Sequence, residues 1–209
     1  MKDFWNQRYA QKAYAYGKEP NAYFRQTLQD IAPGKILLAA EGEGRNAVYA
    51  ATLGWEVYAY DFSEMAYQKA MSLAEEKKVK IHYQVASLSE LDFSEEFFDA
   101  IGLIYVHFPD SIRETNHHQL EKLLAPKGNI ILEAFSKNHP HYQRLNPKVG
   151  GPKMPSQLYD TAGLSGDFEN LKMLHLQEEI ITLSEGSYHV GQTSVVRMHG
   201  IKQLKRFFL

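Results

Sequence analysis

Gly42 and Gly44 stand in the run Ala39-Ala40-Glu41-Gly42-Glu43-Gly44-Arg45-Asn46-Ala47, between a short apolar run and an amphipathic stretch. With no Cβ at either glycine, the backbone can turn sharply and a ligand can approach it closely. A helix opening near Arg45 would present its free N–H groups and positive dipole end to that ligand. Asp61 closes the next apolar run, 61 − 42 = 19 residues beyond Gly42. A carboxylate there accepts hydrogen bonds from both hydroxyls of a ribose. Strand, glycine turn, helix, strand and terminal acid, in that order, predict a ribose-bearing ligand.

The elements that must position these residues show in the apolar pattern. Lys35–Ala40, Glu56–Tyr60, Lys80–Ala86, Phe98–Val106 and Asn129–Phe135 carry consecutive apolar residues, as parallel strands covered on both faces do. Between them lie predicted helices over Arg45–Leu53, Glu64–Lys78 and Ile112–Leu124. Ser63 suits the cap of the second, and Gly54 and Gly128 suit the left-handed backbone beyond a helix end. The first thirty residues, rich in aromatics and broken by Gly17 and Pro20, predict two short helices flanking a turn. After a loop over Lys137–Pro155, only Glu185-Gly186-Ser187 and its neighbours separate Leu171–Leu183 from Ser194–Lys202, so these two strands form an antiparallel pair. The fold class is α/β: a doubly wound, seven-stranded, mostly parallel, Rossmann-like sheet with a C-terminal antiparallel hairpin.

Composition narrows the function classes. The 209 residues are 44% apolar and 23% charged, as in an ordinary soluble domain. A balance of 23 basic against 25 acidic residues gives a formal charge of −2 and argues against a nucleic-acid partner. Zero cysteines exclude disulfides, thiolate metal sites and a cysteine nucleophile, and fit a reducing cytoplasm. The opening MKDFWNQR has no signal-peptide character. No apolar run approaches the roughly 20 residues of a membrane span. The expectation is a cytoplasmic single domain over residues 1–209, monomer or homodimer, without membrane contact. Residues 1–32 form a helical cover, 33–136 a cofactor-binding half, and 137–209 a substrate-side loop and terminal hairpin.

Gly42-Glu43-Gly44-Arg45-Asn46-Ala47 also fits the looser dinucleotide pattern, so an NAD(P)-dependent reductase competes. Against it, no tyrosine after the loop is followed four positions later by lysine, and no separate substrate domain fits. Four segments bear a resemblance of their own. Glu41-Gly42-Glu43-Gly44-Arg45-Asn46 resembles the first motif of class I S-adenosylmethionine-dependent methyltransferases of the tellurite-resistance/thiopurine-type group. Val57-Tyr58-Ala59-Tyr60-Asp61-Phe62-Ser63 resembles their second motif. Tyr16-Gly17-Lys18-Glu19-Pro20-Asn21 resembles the segment that closes over the cofactor. Glu185-Gly186-Ser187-Tyr188-His189-Val190-Gly191 resembles the stretch between the last two strands. The segments come in family order and span nearly the whole chain.

The resemblance implies S-adenosylmethionine as cofactor and transfer of its methyl group to a small-molecule acceptor, soft or thiol-like, releasing S-adenosylhomocysteine. Gly42 and Gly44, with Ala40, Glu41, Arg45 and Asn46, would hold the cofactor's amino-acid part. Asp61 would hold the ribose, beside Ser63, with Phe62 and the Ser87-Leu88 turn bordering the adenine. Tyr16 and Tyr105 would complete the cofactor site. Methyl transfer is an in-line displacement in which positioning supplies about 7–11 kcal/mol of the barrier. An acceptor that carries a proton also needs a base. His107, beyond the fourth strand, is the first candidate, and Tyr188 and His189 of the hairpin are the others. Two departures from the family pattern stand out: Leu38 and Ala40 replace an acid and a glycine, and Ser87 replaces an acid near the adenine. Leu38 and Ala40 keep open a non-catalytic, adenosyl-binding alternative. His117-His118 and His139-Pro140-His141 lack a third ligand and are expected to be exposed histidines with no metal. The tail Lys202–Leu209 is expected to dock locally.

Overall fold

Residues 2–204 are described by a computed structural model, and among them seven strands form one sheet. In chain order these are β1 (Lys35–Leu38), β2 (Glu56–Asp61), β3 (His82–Val85), β4 (Phe98–Ile104), β5 (Leu124–Phe135), β6 (Leu171–Glu185) and β7 (His189–Lys202). In space they run β3-β2-β1-β4-β5-β7-β6. The first five pair in parallel, while β7 is antiparallel to both β5 and β6. This is the predicted α/β architecture, antiparallel end included.

The helices are α1 (Lys2–Tyr9), α2 (Ala22–Leu28), α3 (Arg45–Thr52), α4 (Glu64–Lys77), α5 (Asp110–Leu123), α6 (His139–Leu145) and α7 (Thr161–Asp167). On one face of the sheet, α2, α3 and α4 contribute Leu28, Val48 and Leu73 to an apolar layer. On the other, α5 and α7 contribute Leu120 and Leu164. Coverage on both sides explains why Ile36-Leu37-Leu38 and Ala100–Ile104 are buried at every position. Ser63 caps α4 as predicted, its hydroxyl accepting the Ala66 N–H at 3.2 Å.

Three differences from the sequence reading have local causes. α6 lies inside the stretch read as loop and α7 just after it; each has seven residues, too few for an apolar stripe to register. β5 starts at Leu124 because Phe98 pairs with Leu124 and Ala100 with Asn129, so the predicted helix end at Ala125–Gly128 is a bulge in the strand. The last two strands run on to the turn, making Glu185 and His189 cross-strand partners. No helix among the described residues is long and apolar enough to cross a membrane. The tail from Lys205 onward lies outside the described residues.

β1 and β4 are neighbours although two strands separate them in sequence, so the crevice beyond their carboxyl ends is the topological switch point where such sheets bind ligands. Just past these two strands, Ala40 (φ +44°) and Tyr105 (φ +57°) take left-handed backbone. Each costs about 1–2 kcal/mol that the surroundings must offset, a kind of strain that gathers at functional sites. Leu38 is buried in the layer where Gly102 of β4 leaves room: a Cβ on Gly102 would lie 2.6 Å from Leu38 Cδ1 and 3.2 Å from Phe24 Cε2.

Gly44 (φ +87°) packs α3 against α4, and a Cβ there would lie 2.6 Å from Ala70 Cβ and 2.8 Å from Ala70 Cα. Gly44→Ala is therefore expected to lower unfolding free energy by about 2–4 kcal/mol, from left-handed strain plus overpacking. Urea unfolding measures this, and an unchanged midpoint would rule out the close approach.

Candidate active site

The loop after β1 is organised by its own acids. Glu41 accepts the backbone N–H groups of Asn46 (2.7 Å) and Ala47 (2.8 Å) and the Asn46 side-chain amide (3.3 Å). The chain's own carboxylate thus occupies the N-terminus of α3, where free N–H groups facing a ligand were expected. Burial pushes Glu41 up to about 7, against the hydrogen bonds that favour its charge. Asp61, buried at the end of β2, accepts Gly42 N–H at 3.1 Å on one oxygen and Ser63 N–H at 2.9 Å on the other. Burial pushes it up to about 6. Each oxygen keeps acceptor capacity for a diol. The Tyr83 hydroxyl donates to Gly42 O at 2.6 Å and holds the turn from below, while buried Tyr9 of α1 covers it from above.

The segment between α1 and α2 crosses the crevice as a strap. Glu43 accepts Ala15 N–H (2.7 Å) and pairs with Lys69 (2.7 Å). Arg45 points away from the Asp61 end of the loop: it donates to Tyr16 O (3.2 Å) and pairs with Glu185 (2.9 Å). Asn21 caps α2 through Phe24 N–H, donates its backbone N–H to Asn46 Oδ1 (2.9 Å), and donates its side-chain amide to Glu133 (2.6 Å) and Glu185 (3.2 Å). Fully buried Glu133 on β5 also accepts the Tyr105 hydroxyl (2.6 Å) and Arg197 Nε (2.6 Å). A cavity of about 310 Å³ lies between the strap and the last hairpin, with Arg45, Glu133 and Arg197 on its walls.

The structure brings Tyr16, Tyr105 and His189 together: the His189 ring lies 4.4 Å from Tyr16 and 4.5 Å from Tyr105. Gly42, Asp61 and Ser63 are joined by hydrogen bonds at the end of β2, with half-buried Phe62 between the last two; Glu41 and Asn46 are joined at the start of α3, and Gly44 packs against Ala70. Tyr188 turns outward to Gln11 (3.1 Å) and the Arg8 guanidinium, 4.0 Å from its ring. Ser87 is committed to Glu90 (2.7 Å), and Leu88 is buried in the apolar layer.

His107 is held by the backbone. Its Nδ1 lies 2.7 Å from Gln157 O and its Nε2 accepts Phe135 N–H at 3.3 Å, so neither nitrogen is open to an acceptor. His117 and His139 are buried, contrary to the expectation of exposed histidines; they bond Asp167 (2.8 Å) and Thr193 (2.6 Å) with Gly150 O (3.0 Å). Among the described residues, no three His, Cys, Asp or Glu side chains group as metal ligands. Sequence reasoning did not pick out Glu133, Arg197, Tyr9 or Tyr83. A lone acid inside the apolar run Asn129–Phe135 was the available signal, because a buried charge must be paired.

A seven-stranded sheet with β7 reversed, carrying a glycine loop and a β2 acid at its switch point, defines the Rossmann-like methyltransferase class. Comparison with known proteins agrees. The methyltransferase-domain family matches residues 36–128. An uncharacterised methyltransferase of Schizosaccharomyces pombe is 30% identical over 114 residues, covering 52% of this chain and 77% of its own length. The chain belongs to the methyltransferase family. Among solved structures, one reported for the conversion of a disulfide bond into a thioacetal group during echinomycin biosynthesis superposes with TM-score 0.76 at 17% identity, over 99% of this chain and 93% of its own. TehB from Haemophilus influenzae superposes with TM-score 0.71 at 15% identity, over 97% of this chain and 67% of its own.

Burial pulls His107 down to about 3 and His139 down to about 4. The unfolded chain protonates both near the ordinary value of about 6.5, so it binds more protons than the folded state between there and pH 4. Their contribution to stability is full above about 6.5 and is lost as pH falls through that window. Glu41 and Asp61, raised by burial, act with the opposite sign. The stability advantage of wild type over His107→Gln should therefore shrink between pH 7 and pH 4.5. Urea unfolding of both proteins at the two pH values measures this, and an advantage that grows on acidification would contradict it.

Proposed function

We propose that this chain transfers the methyl group of S-adenosylmethionine to a small, proton-bearing acceptor and releases S-adenosylhomocysteine. The observation that carries the reading is the glycine loop folded onto the Asp61 carboxylate at the β1/β4 switch point. The remaining lone pair on each Asp61 oxygen fits the two hydroxyls of a ribose. Membership of the methyltransferase family points the same way. When bound, the cofactor supplies a methyl group already activated on a sulfonium.

The chain's own residues then bind, orient and take up a proton. Asp61 holds the ribose, the Gly42–Gly44 turn holds the cofactor's amino-acid part, Tyr16 and the strap exclude water, and the cavity of about 310 Å³ takes the acceptor. That volume sits at the small end of ligand pockets, which supports a small molecule. Proton removal falls to His189, which lies behind the cavity-wall residues Tyr16 and Glu185, because its Nε2 takes no hydrogen-bond partner among the described residues while both nitrogens of His107 are engaged. His189 Nε2 would take up the proton that the acceptor gives up on methylation. The finer assignment, to the tellurite-resistance/thiopurine-type group, rests on the four sequence segments and the likeness to TehB.

Calorimetric titration tests the reading. S-adenosylhomocysteine should bind in preference to NAD. Asp61→Ala should weaken that binding by about 1.5–3 kcal/mol, roughly 10- to 150-fold, through loss of charge-assisted hydrogen bonds. Because the Asp61 carboxylate takes up a proton near pH 6, wild-type affinity should also fall between pH 7.5 and pH 5. Unchanged affinity in Asp61→Ala, or tighter binding of NAD, would sink the proposal.

A further inference from the structure

Six histidines, His107, His117, His139, His175, His189 and His199, lie buried or half-buried with a hydrogen bond on at least one ring nitrogen, and their bonding divides them; His175 bonds Glu179 through Nε2 within β6. His107 and His139 have both nitrogens engaged. His117 bonds Asp167 inside the layer covered by α5, and His199 bonds Asn129 at the far end of the sheet. His189 alone stands at the crevice with one nitrogen on a carboxylate, Nδ1 to Glu185 at 3.1 Å, and the other free of protein partners among the described residues.

We infer that Glu185 is a positioning residue that holds His189 in its Nδ1–H tautomer with Nε2 open as proton acceptor, and that Arg45 fastens this pair to the cofactor loop. The inference rests on the methyltransferase reading above and assigns roles inside it.

The geometry is over-determined. Glu185 and His189 are the closing cross-strand pair of the β6–β7 hairpin, so a three-residue turn fixes their separation. Glu185 Oε2 receives both His189 and Arg45, and Oε1 receives Asn21, which leaves the carboxylate little freedom to turn away. A carboxylate accepting from Nδ1 fixes which nitrogen carries the proton, and the other is left basic. Arg45 is the first residue of α3, directly after Gly44, so the ligand-holding turn and the base share one chain of bonds: Arg45, Glu185, His189.

Charges on every packed element bear on His189. Burial pulls its pKa down; Glu185 of β6 and Glu133 of β5 push it up, and Arg45 of α3 pulls it down. His107 and His139 also interact with it through charge, and the Tyr16 and Tyr105 rings wall it in. Burial pushes Glu185 up, but the hydrogen bond from His189 and the charge of Arg45 outweigh that and bring it down to about 2. The orienting carboxylate is therefore ionised at every working pH.

Nitrogen-15 NMR of the full chain without ligand reads both tautomer and titration. The wild type should show Nδ1–H, Nε2-unprotonated His189. Glu185→Gln should move the His189 pKa down and mix the tautomers; Arg45→Gln should move the pKa up and keep the Nδ1–H form. Opposite shifts are the signature, because loosening of the structure alone would move both variants the same way. An Nε2–H tautomer in the wild type, shifts of one sign, or no shift would overturn the inference. If a variant does not fold, the wild-type tautomer and the remaining variant decide. Titration with S-adenosylhomocysteine runs separately: absent binding beside an intact Nδ1–H signature strikes the methyltransferase reading and not the geometry of the pair.

Discussion

The site depends first on a bond between a side chain and the backbone: the Asp61 carboxylate accepting the Gly42 N–H. It ties the end of β2 to the turn after β1, two elements that a parallel pairing brings side by side but does not lock together beyond the last ladder bond. Glu41 completes the arrangement five residues ahead of its partner by capping α3. Position 38, where the resembled motif carries an acid, holds a core leucine here, and the carboxylate that organises the turn is Glu41. Left-handed backbone at Ala40, Gly42 and Gly44 makes that reversal of direction feasible.

A second set of polar groups, four charges and one amide, joins the two halves of the crevice. Glu133, Glu185, Arg45, Arg197 and Asn21 come from five different elements and meet between the strap and the hairpin. Each buried charge has a partner, as an interior of low dielectric demands. Such a network gives little net stability over an apolar filling, but it fixes one arrangement of strap, loop and hairpin, and methyl transfer needs one arrangement.

Much of this was readable from residue order. The apolar runs located all seven strands, Ser63 announced its helix, and the Gly42–Asp61 spacing located the crevice. What escaped has a common physical cause. Glu133 and Arg197 are 64 positions apart and meet only because β7 enters antiparallel beside β5. His107 has the right type and place for a base, but its protonation depends on two backbone groups, Gln157 O and Phe135 N–H, that no local pattern reveals. The reach of Glu41 back onto α3 depends on dihedral angles, which residue types only permit.

The fit of Leu38 against Gly102 and Phe24 bears on how such a chain can change. An acid placed at position 38 alone would bury a carboxylate beside Phe24 and the packed strands, at a cost of several kcal/mol if left unpaired. Glu41 would meanwhile still hold the helix end. Exchanging the acid at position 41 for one at position 38 therefore takes at least two substitutions made together.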